Sequence, residues 1–108
     1  MGDYVPKVKV RTSISRVSDG VWKGTVEYKD RKIVRQFFVF EGFIEVREVF
    51  FEDDRVVALA GYQVDEVDAV GKDVNEFIPE FHSGDAEGQI SEEWEQTVIS
   101  YQMDNGLR

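Results

Sequence analysis

Few side chains in this sequence could do chemistry. His82 is the only histidine, and cysteine is absent. These counts exclude a mechanism with two imidazoles in one chain, a thiolate nucleophile, a thiolate metal site and a disulfide. His82 opens a glycine-containing stretch that we interpret as a loop near Glu80 and Asp85. We expect a loop histidine there, and the alternative is a catalytic base oriented by Asp85.

Arg35 and Glu48 form the more informative pair. The hairpin register argued below places them opposite each other in the middle of an otherwise apolar face. Our first interpretation is a structural ion pair, because a buried charge requires a partner. The second is a polar anchor in a ligand cavity lined by Trp22, Arg35, Phe37 and Glu48. Catalysis by Glu48 as acid or base is a weaker third option, since no second titratable group complements it.

Motif spacing points to no enzyme class. The sequence contains no phosphate-binding glycine loop, zinc-protease helix signature, serine-hydrolase elbow or calcium loop. We therefore expect a non-enzymatic protein that uses neither a cofactor nor a metal.

Evenly spaced turn signals predict the sheet that would position Arg35 and Glu48. The signals are Ser18-Asp19-Gly20, Asp30-Arg31, Glu41-Gly42 and Asp53-Asp54. Between them lie runs rich in β-branched and aromatic residues, which is the pattern of consecutive hairpins. The predicted strands are residues 8–17, 21–29, 32–40, 43–52 and 55–63. We expect an α+β fold built on a five-strand antiparallel meander, as a strongly twisted sheet or half-barrel.

The register of the third hairpin follows from charge. A two-residue loop at Glu41-Gly42 pairs Arg35 with Glu48, whereas a three-residue loop would oppose Arg35 to Arg47, which costs up to ~1 kcal/mol. Two-residue loops at Asp30-Arg31 and Asp53-Asp54 extend this face, although the first of them opposes Lys29 to Lys32. At the first turn, a three-residue loop with a bulge at Gly20 adds Val8, Val10, Thr12 and Ile14. The resulting face contains Trp22, Gly24, Val26, Tyr28, Ile33, Arg35, Phe37, Val39, Val57 and Leu59.

The other face of the sheet is also rich in apolar residues. Its predicted members on strands three to five are Val34, Phe38, Phe40, Phe43, Val49, Phe51, Val56, Ala58, Ala60 and Tyr62. A sheet that is apolar on both sides needs two covers. The C-terminal helices are one candidate; a second subunit, a ligand or closure of the sheet into a barrel are candidates for the other.

Residues 64–108 are expected to be acidic and mostly helical. Apolar residues at helical spacing predict a helix over 65–77 that stops before Pro79. Residues 92–103 fit a second helix ended by Asn105-Gly106. They also fit a sixth strand, because Thr97, Ile99 and Tyr101 alternate. We interpret residues 1–108 as a single domain, with the sheet in 1–63.

The net charge of −9 is concentrated in one part of the chain. Residues 1–62 contain 11 Lys or Arg and 10 Asp or Glu, a net charge of +1, whereas residues 63–108 contain 2 and 12, a net charge of −10. Such asymmetry predicts that the acidic part meets a cationic surface, on a partner or on the same molecule.

These patterns favour a protein-interaction module. We expect a small acidic accessory or inhibitor-type protein, in the cytoplasm, that docks a basic partner surface or self-associates as a homo-oligomer. The expected interface residues are Phe38, Phe40, Phe43, Phe51, Tyr62, Glu92, Glu93 and Glu95. The alternative function is a small-molecule-binding half-barrel with the cavity named above.

Two other partner classes are not expected. The basic residues Lys7, Lys9, Arg11 and Lys23 make only a short stripe, so direct nucleic-acid binding is opposed by the remaining negative charge. No apolar run approaches the roughly 20 residues needed to span a bilayer, so no membrane partner is expected.

Overall fold

A computed structural model describes residues 10–106, which form an α+β fold. The elements are β1 (Val10–Ser18), β2 (Val21–Tyr28), β3 (Arg31–Phe40), β4 (Phe43–Glu52), β5 (Arg55–Asp65), a 3₁₀ turn (Glu66–Ala69), α1 (Val74–His82), α2 (Ala86–Glu93), a π-helical segment (Trp94–Val98) and α3 (Ile99–Asp104). The strands pair in the order β1-β2-β3-β4-β5, so the predicted five-strand antiparallel meander followed by helices is confirmed. The expected start of the first strand at Val8 and the basic residues Lys7 and Lys9 lie outside the described residues.

The sheet is open, and helices cover one of its faces, here called the inner face. Two groups of buried side chains fill the space between sheet and helices. The first contains Val26, Ile33, Phe50, Ala58, Ala86, Ile90, Trp94 and Val98. The second contains Phe37, Ile44, Val46, Val64, Phe77 and Ile78. Both groups join strand residues to helix residues, so burial of apolar area holds the layers together.

The third hairpin has the predicted register, with Arg35 opposite Glu48. The second hairpin does not. Its loop is Lys29-Asp30, one residue earlier than predicted, and Glu27 therefore pairs with Lys32. In the predicted register Lys32 would have faced Lys29. In the observed register it faces Glu27, and opposite charges are favoured across strands. The pairing moves by two residues, so every side chain stays on its predicted face.

β5 departs from the predicted alternation. Phe51 pairs with Val56 but Phe50 pairs with Ala58, so Val57 is an extra residue that forms a β-bulge. A bulge reverses the facing of every residue beyond it. The prediction that Leu59 faces the inner side is wrong, since its side chain is 52 % exposed. The prediction that Ala58, Ala60 and Tyr62 lie on the opposite face is wrong for the same reason; Ala58 belongs to the core and Ala60 packs against it.

The first helix starts and ends later than predicted. Gly71 adopts a φ of 81°, which ends the preceding turn. Asp73 then caps α1, its side chain accepting a hydrogen bond of 2.8 Å from the backbone N–H of Asn75. Pro79 lies inside α1 rather than beyond it. The helix continues to His82 because proline removes only one backbone donor while its neighbours Phe77 and Ile78 are buried against the sheet.

The last helical stretch runs from Ala86 to Asp104 through the π-helical segment. Residues 92–103 are helical, so the sixth-strand alternative is wrong. The prediction that Asn105-Gly106 ends this helix is confirmed, because Asn105 follows α3 and Gly106 adopts a φ of 69°. Among residues 10–106, no helix combines the length and apolarity needed to cross a membrane.

The face of the sheet away from the helices, here called the outer face, has no helix over it among residues 10–106. It is less apolar than predicted, because charged side chains stand between the aromatic ones. Lys32 lies over the Phe51 ring, with Nζ 4.7 Å from the ring centroid. Arg47 pairs with Glu45 at 2.8 Å. The rings of Phe40 and Phe43 stack on this face, with centroids 5.0 Å apart.

The turn between β4 and β5 offers a stability test. Asp53 and Asp54 adopt φ angles of 52° and 62°, which are unfavourable for residues other than glycine. We expect Asp54→Gly to raise the free energy of unfolding by roughly 0.5–1 kcal/mol, measured by urea denaturation. Asp30→Gly is the matched control, because Asp30 is also an exposed turn aspartate but has no positive φ. An equal gain in the control would contradict the assignment of strain to this turn.

Candidate functional site

Three titratable or charged side chains are buried together at the centre of the inner face. Arg35 is 4 % exposed, Glu48 2 % and His82 0 %. β3 and β4 position the first two, and the last residue of α1 supplies the third. Arg35 Nε donates to Glu48 Oε2 at 2.6 Å. Burial of this pair is tolerated because each charge has its partner at hydrogen-bond distance.

The Arg35 guanidinium also reaches the helices. Its Nη1 donates to Gln89 Oε1 at 2.7 Å. Its Nη2 lies 3.7 Å from Glu93 Oε1, an ion pair that is too long for a hydrogen bond. Gln89 and Glu93 are four residues apart on α2, so both side chains point to the same side of the helix. Arg35 therefore connects the middle of the sheet to α2.

His82 lies against the backbone of β2. A Cβ atom built on Gly24 would stand 2.6 Å from His82 Cε1, so only glycine leaves room for this imidazole. His82 Nε2 donates to the Thr25 carbonyl at 3.4 Å, and Nδ1 faces Arg35 Nη1 at 3.4 Å. This geometry fits a neutral ring with its proton on Nε2, because Arg35 can only donate. The prediction of a loop histidine is wrong, since α1 extends one turn further than expected.

Burial determines the direction of the pKa shifts in this cluster. Burial lowers the pKa of His82, and the nearby Arg35 charge lowers it further. Burial raises the pKa of Glu48, while the hydrogen bond and the charge of Arg35 oppose that rise. Burial also raises the pKa of Tyr62, and the negative charge of Glu48 adds to it. At neutral pH, His82 and Tyr62 are therefore uncharged.

A small opening, here called the notch, leads from the surface to Arg35. Its volume is about 180 Å³, and its lining residues are Arg35, Tyr62, Phe81, Ser83, Gln89, Glu92 and Glu93. The rings of Tyr62 and Phe81 have centroids 6.4 Å apart. The notch thus has a guanidinium at its base, aromatic side chains in its wall and carboxylates in its lining.

The four residues of the predicted ligand cavity share the inner face but do not line one cavity. Arg35 lines the notch. Phe37 is buried in the core, where its ring makes edge-to-face contacts with Phe81 and His82 at centroid distances of 6.3 and 6.0 Å. Trp22 packs against the same group of core residues. Ligand binding by these residues remains a prediction.

The expected interface residues lie on two sides of the molecule. Phe38, Phe40, Phe43 and Phe51 are on the outer face, as their pairing with β2 and β5 shows. Tyr62, Glu92 and Glu93 line the notch, and Glu95 is exposed on the π-helical segment. Because the sheet separates the two groups, no single flat surface contains them all.

Sequence reasoning did not place three residues at this site: His82, which was expected in a loop, Gln89, which was not considered, and Glu93, which was expected only at an interface. The signal for the last two was their spacing, since residues four apart share one side of a helix. It went unused because the helix was expected to begin near residue 92 instead of at Ala86. Within residues 10–106, no group of three His, Asp or Glu side chains is arranged to hold a metal ion.

The contact between Gly24 and His82 gives a direct packing test. We expect Gly24→Ala to lower the free energy of unfolding by about 2 kcal/mol, because the added methyl group overlaps the imidazole. Gly61→Ala is the control, since its Cβ would lie 3.7 Å from the Val46 carbonyl oxygen, the nearest atom outside the adjoining residues. The penalty of Gly24→Ala should shrink in a His82→Ala background. A penalty that is the same in both backgrounds would show that the ring is not responsible.

The only histidine should also make stability depend on pH. The pKa of His82 is lowered by folding, so the unfolded chain takes up a proton at higher pH than the folded chain. The free energy of unfolding should therefore fall as the pH decreases below about 6.5, by at most about 1.4 kcal/mol per pH unit. The contribution is complete above that pH.

The His82→Gln variant isolates this effect. Glu48, whose pKa is raised, acts in the opposite direction, and it remains in both proteins. Urea denaturation between about pH 7.5 and about pH 5.5 should show a steeper loss of stability in the parent protein than in His82→Gln. Equal slopes would mean that His82 titrates as it does in the unfolded chain.

Searches of protein-family models, of curated proteins and of solved structures found no match to this chain.

Proposed function

We propose that this protein is a non-enzymatic interaction module, of the small acidic accessory or inhibitor type, that docks a basic partner surface through its helical side. One observation supports this proposal above the others: the carboxylates of residues 63–108 face solvent. Of these twelve acidic residues, all except Glu93 are exposed. Solvated carboxylates on one side of a small protein create a negative potential that attracts a cationic surface.

Little positive charge offsets this surface. Lys72 is the one cationic residue of the described part of this region, and it pairs with Glu80. The outer face has a different character, since Arg11, Lys23, Lys32 and Arg47 point away from the helices. Arg11 and Arg47 pair there with Glu27 and Glu45, so the outer face lacks the excess negative charge of the helical side. A basic partner would therefore be attracted more strongly to the helical side, which favours one orientation of approach.

Self-association is the second part of the proposal, and the outer face is its candidate surface. The stacked rings of Phe40 and Phe43 and the side chains of Phe38 and Phe51 lie there. Because this surface is on the other side of the sheet, a second copy bound there would leave the carboxylates of the helices accessible. The two contacts are thus compatible in one assembly.

A charge-reversal experiment tests the docking proposal. The variant replaces Glu87, Glu92 and Glu95 by lysine and keeps Glu93, which pairs with Arg35. With an arginine-rich peptide as the probe, we expect the association rate to fall by about tenfold and to depend less on salt. Surface plasmon resonance at several ionic strengths measures both quantities.

The control carries the same change of charge at turns of the sheet. It replaces Asp19, Asp30 and Glu41, which are all exposed, by lysine. We expect a smaller effect on the association rate, because these residues lie outside the helical side. Equal losses in the two variants would show that only net charge matters, and the proposed docking surface would have to be abandoned.

A further inference from the structure

The side chain of Gln89 has a donor without an acceptor. Its Oε1 accepts the hydrogen bond from Arg35 Nη1 at 2.7 Å, and this contact fixes which end of the amide faces the guanidinium. The other end, Nε2, is buried and has no hydrogen-bond partner among the described residues. A flip of the amide would bring two donors together, so it offers no remedy. The amide nitrogen therefore calls for an acceptor oxygen.

A second donor lies beside it. Arg35 Nη2 is 3.7 Å from Glu93 Oε1, beyond hydrogen-bond distance. Arg35 and Gln89 both line the notch. Two donors on residues that line a small opening favour an acceptor with two oxygens, such as a carboxylate.

The notch also contains carboxylates, which come from the same helix as Gln89. Glu92 and Glu93 contribute carboxylates to its lining, and Glu48 lies buried behind Arg35. One guanidinium faces three carboxylates, so a simple anion would be repelled on balance. A simple cation would leave the Gln89 donor without an acceptor. A ligand that carries both charges avoids both penalties.

We propose that the notch binds the head group of a free α-amino acid. The carboxylate of the ligand lies toward Arg35 and Gln89, and its ammonium group lies toward Glu92 and Glu93. The aromatic rings of Tyr62 and Phe81 provide apolar contact for its side chain. A volume of about 180 Å³ fits a small aliphatic amino acid and is below the usual range for larger ligands. This inference goes beyond the docking of a basic partner and does not depend on it.

Ligands with one charge removed test the proposal. L-Valine is the probe, and N-acetyl-L-valine and L-valinamide are its derivatives without the ammonium and without the carboxylate. NMR titration of the ¹⁵N-labelled protein should show shifts at residues of the notch, with each derivative at least about tenfold weaker than valine. Equal binding of either derivative, or a dissociation constant for valine weaker than about 10 mM, would overturn the proposal.

Two pairs of variants test the residues. Gln89→Glu keeps the acceptor for Arg35 but replaces the unpartnered donor by an oxygen, so valine binding should fall by at least about tenfold. Gln96→Glu makes the same charge change at an exposed position and should leave binding unchanged. Glu92→Gln should weaken binding while Glu95→Gln should not. If the control variants lose as much affinity as their partners, the notch is not the site. These results are independent of the peptide-docking rates.

Discussion

The buried charge of Arg35 constrains more of this molecule than any other group does. It lies in the middle of the inner face, where an unpaired guanidinium would be very unfavourable. Glu48 must therefore stand directly opposite on β4, which fixes the register of the third hairpin. Gln89 must approach from above, which fixes how α2 lies on the sheet. One side chain thus ties together sheet register, helix position and the base of the notch.

The sheet could be predicted from sequence because its information is local. Turn residues and alternation determined strand order, and the charges of Arg35 and Arg47 determined one register. The error at the second turn was harmless, since a shift of two residues preserves the facing of each side chain. Missing the bulge at Val57 was not harmless, because one extra residue moves every later side chain of β5 to the other face. Nothing in the residue types around Val57 marks the position of the bulge.

The helices were less predictable because tertiary contacts override local signals. Pro79 and Gly71 both suggest helix ends, yet only Gly71 marks one. The burial of Phe77 and Ile78 against the sheet offsets the hydrogen bond that Pro79 cannot make. His82 was misplaced as a consequence. Its position requires the absence of a side chain at Gly24, which is distant in sequence, so the candidate site could be predicted only as far as the ion pair within the sheet.

The sheet and the helical layer each contain one element that holds more residues than a regular strand or α-helix of the same length. β5 has the extra residue Val57, and the π-helical segment Trp94–Val98 widens the last helix, where it packs against β5. Ala58 and Val98 belong to the same group of buried side chains. A one-residue deletion in either element would turn everything beyond it by about 100° in the helix or 180° in the strand. The number of residues in both segments must therefore be preserved. Related sequences should align there without gaps even where residue types differ.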